Sequence, residues 1–231
     1  MSVLFDPPPP VLIPTCEGDL FPVRRLFCIG RNYPEHASEM GVDADRQAPF
    51  FFTKWAETIV GDGATIAYPQ GTADFQHEVE LVAAIGKPGR SITREDAMAH
   101  VWGFAVGLDM TRRDIQLEAR RRSRPWDAGK NVEQSSPIGL LHPAAAFGNG
   151  SRGRISLAVN GDVRQEADLS ELIHPVDRLI EFLSGLYTLE AGDLIYTGTP
   201  AGVAPVVPGD VMVCRADRLS SLTVTVGPPA A

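Results

Sequence analysis

The chain has 231 residues, 44% of them hydrophobic, and a formal net charge of −8 at pH 7. This length and apolar content suffice for one large domain, and the negative charge argues against nucleic acid and anionic membranes as partners. Cys16, Cys28 and Cys214 have neither disulfide-framework nor zinc spacing, and the first residues do not resemble a signal peptide, so we expect a cytoplasmic protein.

Proline is concentrated near the start of the chain, where four consecutive prolines occupy residues 7–10. This composition predicts an extended arm or edge hairpin over residues 1–20, with a single domain over residues 21–231. The apolar run at residues 21–30 ends in glycine and predicts the first core strand.

Residues 31–41 are predicted to form a short helix, because Pro34 is near its start and glycine is at its end. His36 and Glu39 then lie three residues apart on one helical face, where the carboxylate can orient the imidazole. An imidazole held in this way serves as a general base. Polar pairs at this spacing are also common on solvated helices, so the pattern alone leaves both interpretations open.

The strand predicted over residues 76–86 carries two acidic side chains that an apolar sheet does not need. Because strand side chains alternate, Glu78 and Glu80 share one face with Val82 and Ala84. The apolar continuation of that face favours burial of the carboxylates. A half-exposed strand alternates in the same way, so the competing interpretation is that the glutamates face water.

A second apolar run, residues 101–108, ends in Asp109, which can complete a three-carboxylate cluster. Oxygen ligands of this kind suit Mg²⁺ or Mn²⁺ rather than zinc. Clustered acids repel one another, so we expect the loss of Glu78 to leave the folding of the metal-free protein little changed. The alternative role of Asp109 is a helix cap, but Thr111 is itself a capping residue and leaves Asp109 available.

The lysines are few, and two of the three lie in apolar or turn-rich contexts. Lys54 belongs to an aromatic run at residues 49–55, where the alternative is an ammonium group that extends into water from a strand end. Lys130 lies in residues 127–131, which we predict to be a loop. Capped helices are predicted from residue 91 to about residue 100 and from residue 112 to residue 123.

The last third of the chain is predicted to be mainly strands. Asn160-Gly161 between two apolar runs is the strongest hairpin signal in the sequence. An amphipathic helix is predicted over residues 175–183, followed by a strand at 193–197, a glycine-bearing loop at 198–202, and strands at 211–214 and 221–226. Many short strands without regular strand–helix alternation indicate a mostly β, α+β fold.

Seven ordered motifs resemble the fumarylacetoacetate hydrolase family, and within it the branch that cleaves acylpyruvates. The resemblance spans roughly residues 21–209, and seven motifs in order are far more specific than any one alone. The motifs are CIGRNYPEHASEMG, FFTK, HEVELVAAIG, GLDMTRRDIQ, RPWDAGK, VNGDVRQ and GDLIYTGTPAGV.

The resemblance implies a mixed β-sandwich roll with a few short helices, in which residues 21–231 form one catalytic domain. It implies Mg²⁺ or Mn²⁺ held by Glu78, Glu80 and Asp109, a small anionic oxoacid as the substrate, and a homodimer. Three carboxylates around a divalent ion leave about one negative charge, so Lys130 is the cation expected to attract an anionic substrate.

The resemblance also assigns catalytic and substrate-contacting positions. His36 and Glu39 match the family's water-activating pair, and Lys130 matches the lysine that faces the bound oxoacid. Substrate-binding positions are implied for Arg31, Lys54, Arg113, Gln116 and Thr199.

The implied activity is metal-dependent hydrolysis of the carbon–carbon bond of an acylpyruvate, fumarylpyruvate foremost, which yields pyruvate and fumarate. Decarboxylation of oxaloacetate or isomerisation of a ring-fission dioic acid at the same site stays open, as does metal binding without catalysis. His36 and Glu39 favour hydrolysis, because decarboxylation needs no water nucleophile.

Three positions depart from the family pattern. Trp55 follows Lys54 where proline is usual, Val132 stands where an aromatic is usual, and Ala204 ends the usual GVG triplet. None of these changes removes a metal ligand or a base, and all three bear on the shape of the acyl pocket.

Overall fold

The computed structural model describes residues 3–35 and 48–229. In this part of the chain, two large sheets and three pairs of short strands make up most of the regular structure. The strands are Leu12–Pro14 (β1), Leu20–Pro22 (β2), Arg25–Gly30 (β3), Phe50–Lys54 (β4), Ile59–Val60 (β5), Thr65–Tyr68 (β6), Phe75–Gln76 (β7), Val79–Ile85 (β8), Val101–Leu108 (β9), Thr111–Arg112 (β10), Ser136–Pro137 (β11), His142–Pro143 (β12), Arg154–Val159 (β13), Asp162–Asp168 (β14), Asp193–Tyr196 (β15), Val211–Ala216 (β16) and Leu222–Pro229 (β17).

The described helices are short. The α-helices are Arg113–Arg121 (α1), Asp127–Lys130 (α2), Ala144–Phe147 (α3) and Val176–Leu186 (α4), and the 3-10 helices are Ala56–Thr58, Ala97–His100 and Leu169–Glu171. In the described residues, no helix is long and apolar enough to cross a membrane.

Both large sheets mix parallel and antiparallel strands. The first has the order β12-β9-β8-β15-β3-β4, in which only β15 and β3 are parallel. The second has the order β14-β13-β16-β17-β6, with β17 and β6 parallel. The main apolar core contains side chains of both sheets and of helix α4. The predicted mixed β-sandwich with few helices is therefore confirmed.

Strand β8 is buried on both faces, and this positions the acidic residues. Leu81 and Ala83 belong to the main core, whereas Val82 and Ala84 belong to a second apolar cluster on the opposite face. Glu80 shares the face of Val82 and Ala84 because strand side chains alternate. Both faces are apolar, so the interpretation that the glutamates face water is wrong for this strand.

Several local predictions need correction. The first core strand is divided, because β2 ends at Pro22 and β3 begins at Arg25. A 3-10 helix at Ala97–His100 replaces the longer helix predicted from residue 91. Thr111 does not cap helix α1; it pairs with Gln76 in a two-residue ladder, and its hydroxyl donates to the carbonyl of Asp109. Lys130 ends a short helix, α2, instead of lying in a loop.

The Asn160-Gly161 hairpin is confirmed between β13 and β14. Asn160 and Gly161 have φ values of 52° and 92°, which is the left-handed pair that a type I′ turn requires. At the other end of the chain, β1 and β2 form an antiparallel hairpin whose Ile13 packs in the second apolar cluster. The division into an arm at 1–20 and one domain at 21–231 stays a prediction.

Candidate metal centre and active site

Three carboxylates converge where strands β8 and β9 meet. Glu78 precedes β8, Glu80 lies within it, and Asp109 follows β9, whose antiparallel pairing continues through a hydrogen bond from the Asp109 N–H to the Glu78 carbonyl at 2.9 Å. Each residue offers an oxygen within 4.8 Å of those of the other two. The residues are 5%, 1% and 1% exposed, respectively. The sheet register thus brings together the three residues that the sequence predicted as ligands.

Three cations neutralise this cluster, which the sequence did not predict. Lys130 Nζ donates to Glu78 Oε2 and to Asp109 Oδ2, both at 2.7 Å. Lys54 Nζ donates to Asp109 Oδ1 at 2.8 Å, and Arg113 Nη2 pairs with Glu78 Oε1. Burial lowers the pKa of Lys130, but the charges of Asp109 and Glu78 outweigh burial and raise it above its ordinary value. The expectation that the three acids repel one another in the metal-free protein, with Lys130 as the cation beside them, is therefore wrong.

Glu80 differs from the other two acids. Among the described residues it has no cation in an ion pair, and its hydrogen-bond partner is the backbone N–H of Gly198 at 2.8 Å. Burial, followed by the charges of Asp109 and Glu78, raises its pKa well above the ordinary value. A buried acid of this kind is stabilised by a cation.

These donors fit a divalent cation. The oxygens converge, the donor set contains no nitrogen or sulfur, and one acid lacks a cationic partner in the described structure. Hard oxygen donors suit Mg²⁺ and Mn²⁺. The buried acidic triad is therefore consistent with binding of Mg²⁺ or Mn²⁺, and its assignment as the ligand set stays a prediction.

Glycine at position 198 keeps the backbone N–H that donates to Glu80 in place. Gly198 has φ 99°, and a Cβ there would lie 2.6 Å from Cβ of Asn32. Asn32 fixes the neighbouring chain, because its amide donates to the Thr197 carbonyl at 2.7 Å and to the His174 carbonyl at 2.9 Å. Only glycine permits both this backbone conformation and this close approach.

Gln165 joins the glutamate strand to the glycine-bearing loop, although it comes from β14 of the other sheet. Its Oε1 accepts from the Val79 N–H at 3.1 Å and lies 2.9 Å from His77 Nδ1. Its Nε2 donates to Thr199 Oγ1 at 2.8 Å and to the Pro200 carbonyl at 2.9 Å. Sequence reasoning missed this residue, because a single glutamine in a polar strand gives no signal before its long-range partners are known.

A narrow cleft opens over the carboxylates. Lys130 lies in its wall with Nζ 5.0 Å from the centre of the Phe52 ring. Gly129 allows helix α2 to approach α1, since a Cβ there would lie 2.9 Å from Gln116. Arg113 Nη1 donates to Gln116 Oε1 at 2.5 Å and so orients that amide. The wall therefore combines an ammonium group, an amide and an aromatic ring.

The predicted substrate-binding residues do not all line this cleft. Arg31, Arg113, Gln116 and Thr199 do. Lys54 instead lies beside Asp109, and it also donates to the Ser135 carbonyl at 2.7 Å and the Met110 carbonyl at 3.4 Å. The buried ammonium group does not extend into water, so the alternative considered for Lys54 is also wrong.

Three further predicted positions are Thr199, which the structure describes, and His36 and Glu39, which it does not. The hydroxyl of Thr199 donates to the Val79 carbonyl at 2.9 Å, so this proton is already bound within the protein. His36 and Glu39 lie outside the described residues, and their role as a water-activating pair stays a prediction.

Comparison with known proteins gives consistent matches over most of the chain. The model of the fumarylacetoacetate (FAA) hydrolase C-terminal family matches residues 25–227. Fumarylpyruvate hydrolase of Ralstonia sp is 45% identical over 187 residues, which cover 81% of this chain and 97% of the relative. The mitochondrial oxaloacetate decarboxylase of Dictyostelium discoideum is 39% identical over 192 residues, covering 83% and 88%. The crystal structure of fumarylpyruvate hydrolase from Pseudomonas aeruginosa, in complex with Mn²⁺ and pyruvate, matches with a TM-score of 0.95 at 46% identity, covering 98% of this chain and 100% of that chain.

Proposed function

This chain belongs to the fumarylacetoacetate hydrolase family, and from that premise we propose that it is a metal-dependent hydrolase that cleaves fumarylpyruvate to pyruvate and fumarate. The observation that carries the proposal is the buried carboxylate triad joined to Lys130 beneath an open cleft. The similar enzyme from Pseudomonas aeruginosa, which holds Mn²⁺ and pyruvate, supports pyruvate as the common product.

The chemistry follows from the charges around the cleft. Glu78, Glu80 and Asp109 would hold the cation, which supplies Lewis-acid stabilisation of negative charge on the oxoacid. Lys130, fixed by two carboxylates, stands beside that charge. A positioned ammonium group lowers the energy of the enolate that develops when the carbon–carbon bond breaks.

Water completes the reaction. We propose that His36, oriented by Glu39, takes a proton from water as the water oxygen attacks the carbonyl carbon of the acyl group. The bond between that carbon and the pyruvyl methylene then breaks, and its electron pair forms the pyruvate enolate. A proton returned to the methylene carbon gives pyruvate, while the acyl group leaves as the carboxylic acid.

The proposal is tested by assaying pyruvate release from fumarylpyruvate, maleylpyruvate and acetylpyruvate, with oxaloacetate as the decarboxylation control. We expect hydrolysis with Mg²⁺ or Mn²⁺, its loss after chelation, and equal amounts of pyruvate and fumarate from fumarylpyruvate. Pyruvate formed only from oxaloacetate would overturn the proposal.

Decarboxylation of oxaloacetate is the second candidate, because the relative from Dictyostelium discoideum carries that activity in its name. Substitution of His36 distinguishes hydrolysis from decarboxylation. The variant His36→Ala should lose hydrolysis by about 10²- to 10⁴-fold, the usual contribution of a general base. Oxaloacetate decarboxylation should be affected less, because it needs an enolate but no water nucleophile. Equal losses in both reactions would withdraw the water-activation role.

Two broader proposals accompany the activity. We propose a homodimer, as the family resemblance implies, and light scattering on the purified chain measures its mass directly. We also propose a cytoplasmic location. The three cysteines support a reducing compartment, since all of them are free thiols.

A further inference from the structure

A second and wider pocket opens beside the carboxylate cleft and shares Arg31, Phe52 and Trp126 with it. We name it the aromatic–arginine pocket. Its wall includes the rings of Phe50, Phe52 and Trp126 and the side chains of Arg31, Arg120 and Arg124. The three shared residues make the two spaces neighbours.

Arg31 is the central residue of this arrangement. Its guanidinium carbon lies 5.5 Å from the centre of the Phe50 ring and 5.7 Å from that of Trp126. Its Nε is buried and has no hydrogen-bond partner among the described residues. A buried donor without an acceptor is costly, and an anionic acceptor gives the strongest compensation.

The backbone of Arg31 is also unusual. Its φ is 61°, in the left-handed region that disfavours a non-glycine residue. Strained conformations that persist in a folded protein are concentrated at functional sites. Five other non-glycine residues of the described chain share this conformation, so the buried Nε without an acceptor is the observation that points to an anionic ligand.

The aromatic–arginine pocket carries a net positive charge. Its wall contains three arginines and one acid, Asp127. Burial, followed by the charge of Arg120, lowers the pKa of Arg31. Two guanidinium groups that repel each other across a pocket are stabilised when an anion lies between them.

Helix α1 separates its arginines into two groups. Arg121 and Arg122 lie outside this pocket and pair with Glu118, at 3.4 Å and 2.5 Å. Arg120 lies in the pocket wall, on the side of Arg31. The helix thus provides a matched comparison of adjacent residues with the same charge and different surroundings.

We propose that the aromatic–arginine pocket binds the distal carboxylate of a dicarboxylic acylpyruvate, through Arg31 and Arg120. The oxoacid end of the substrate lies over the triad and Lys130, and the flat acyl chain lies against Phe52 and Trp126. The inference rests on the proposed function and names its substrate class: acyl groups that end in a carboxylate are favoured over neutral ones.

The test compares fumarylpyruvate, which has the distal carboxylate, with acetylpyruvate, which ends in a methyl group. In Arg31→Gln and Arg120→Gln, the ratio of kcat/KM for fumarylpyruvate to that for acetylpyruvate should fall about 10- to 100-fold. This range corresponds to loss of one charge-assisted hydrogen bond of about 1.5–3 kcal/mol. The change should appear mainly in KM.

The variant Arg121→Gln is the control, because it removes the same charge from the next residue of the helix. This variant should have the same kcat/KM as the parent for both fumarylpyruvate and acetylpyruvate. If Arg31→Gln and Arg120→Gln lose kcat/KM equally for the two substrates, the proposed binding role of the pocket is overturned and these residues serve folding instead. An unchanged ratio in both variants would overturn it as well. Arg120 is only half-buried, so its variant keeps the test decisive if Arg31→Gln does not fold.

A binding measurement separates this inference from the proposed activity. With Mn²⁺ present, fumarate should bind the parent protein about tenfold more tightly than crotonate, which lacks the second carboxylate, and Arg31→Gln should remove that difference. If the parent releases no pyruvate from either acylpyruvate but keeps the preference for fumarate, the proposed function fails and the pocket stands. If hydrolysis occurs without any such preference, in binding or in kcat/KM, the pocket is overturned and the hydrolase stands.

Discussion

Lys130 and Arg31 are cationic side chains in the wall of the same cleft, yet their surroundings are opposite. Lys130 lies between two carboxylates, and its nitrogen makes charge-assisted hydrogen bonds to both. Arg31 lies against two aromatic rings that contact each other, and its Nε has no hydrogen-bond partner in the described part of the chain. We call the three carboxylates together with Lys54, Arg113 and Lys130 the floor of the cleft. In the floor, Glu78 and Asp109 are paired with cations of the protein, and Glu80 is the acid that a bound cation would neutralise, whereas the aromatic–arginine pocket presents cations that an anion would neutralise.

This difference shows how the two ends of one substrate can be bound by different interactions. Cations that are buried among acids are fixed in position, because any movement separates charges in a medium of low polarity. A cation stacked on rings keeps its charge available to a ligand. The floor therefore suits chemistry that needs exact placement, and the pocket suits selection among acyl groups.

The largest effect is expected at Lys130. Removing one partner of a buried ion pair costs about 3–5 kcal/mol, so Lys130→Met should lower the free energy of unfolding by that amount in urea titrations. Hydrolysis should fall by about 10²- to 10³-fold, as for loss of one electrostatic contact to the transition state. The same change at the exposed Lys87 is the control and should affect neither quantity. A Lys130→Met protein with parental activity would remove this residue from the mechanism.

Smaller changes in metal-free stability are expected at the two glutamates, and they differ between Glu78 and Glu80. Glu78→Gln leaves Lys130 and Arg113 without one negative partner, so the metal-free protein should lose about 2–3 kcal/mol of stability. Glu80→Gln removes a buried charge that has no ion-pair partner in the described residues, so metal-free stability should stay the same or rise. Mn²⁺ binding, measured by calorimetry, should weaken in both variants. Equal destabilisation by the two changes would contradict the asymmetry of the floor.

Gln165 tests whether the floor depends on the second sheet. Gln165→Met keeps the size of the side chain but leaves the Val79 N–H without its acceptor and removes the donor to Thr199 Oγ1 and the Pro200 carbonyl. We expect a loss of about 1–3 kcal/mol of stability and a higher KM for both acylpyruvates in the same proportion. A change in the ratio between the two substrates would instead connect this residue to the aromatic–arginine pocket.

The sequence predicted the parts of this site that depend on local pattern. Alternation along β8 placed Glu80 with Val82, and the apolar run before Asp109 gave the second strand. The Asn160-Gly161 turn was predictable because its left-handed backbone has few alternatives. In each case the information lies within a few adjacent residues.

The remaining features depend on contacts between distant residues. Lys54 is separated from Asp109 by 55 positions and Gln165 from His77 by 88, and no local pattern specifies either pair. Thr111 failed as a cap because a strand contact with Gln76 took precedence over its local preference. Lys130 was predicted in a loop, and the short helix that it ends depends on a contact with a distant segment, because Gly129 packs against Gln116 of helix α1.

The smallest expected effect concerns Asp114, in the helix that joins the two regions, since α1 carries both Arg113 of the floor and Arg120 of the pocket. Its carboxylate accepts from the Thr72 hydroxyl at 2.5 Å and from the Ala73 N–H at 3.0 Å. Burial opposes ionisation, but these donors outweigh it and lower the pKa of Asp114. Asp114→Asn should therefore cost about 1 kcal/mol at pH 7.

The sign of the pH dependence follows from that pKa. Because the folded-state pKa lies below the unfolded value, the stabilisation is present above the unfolded pKa of about 3.9 and is lost as the pH falls through the folded value. Urea titrations at a series of pH values should show the stability difference between the parent and Asp114→Asn shrinking as the pH falls through the folded-state pKa of Asp114. Both acylpyruvates should lose kcat/KM by the same factor, because the helix moves as a unit, in contrast to the selective loss expected for Arg120→Gln. A stability difference that persists unchanged at low pH would show that the charge of Asp114 does not anchor the helix.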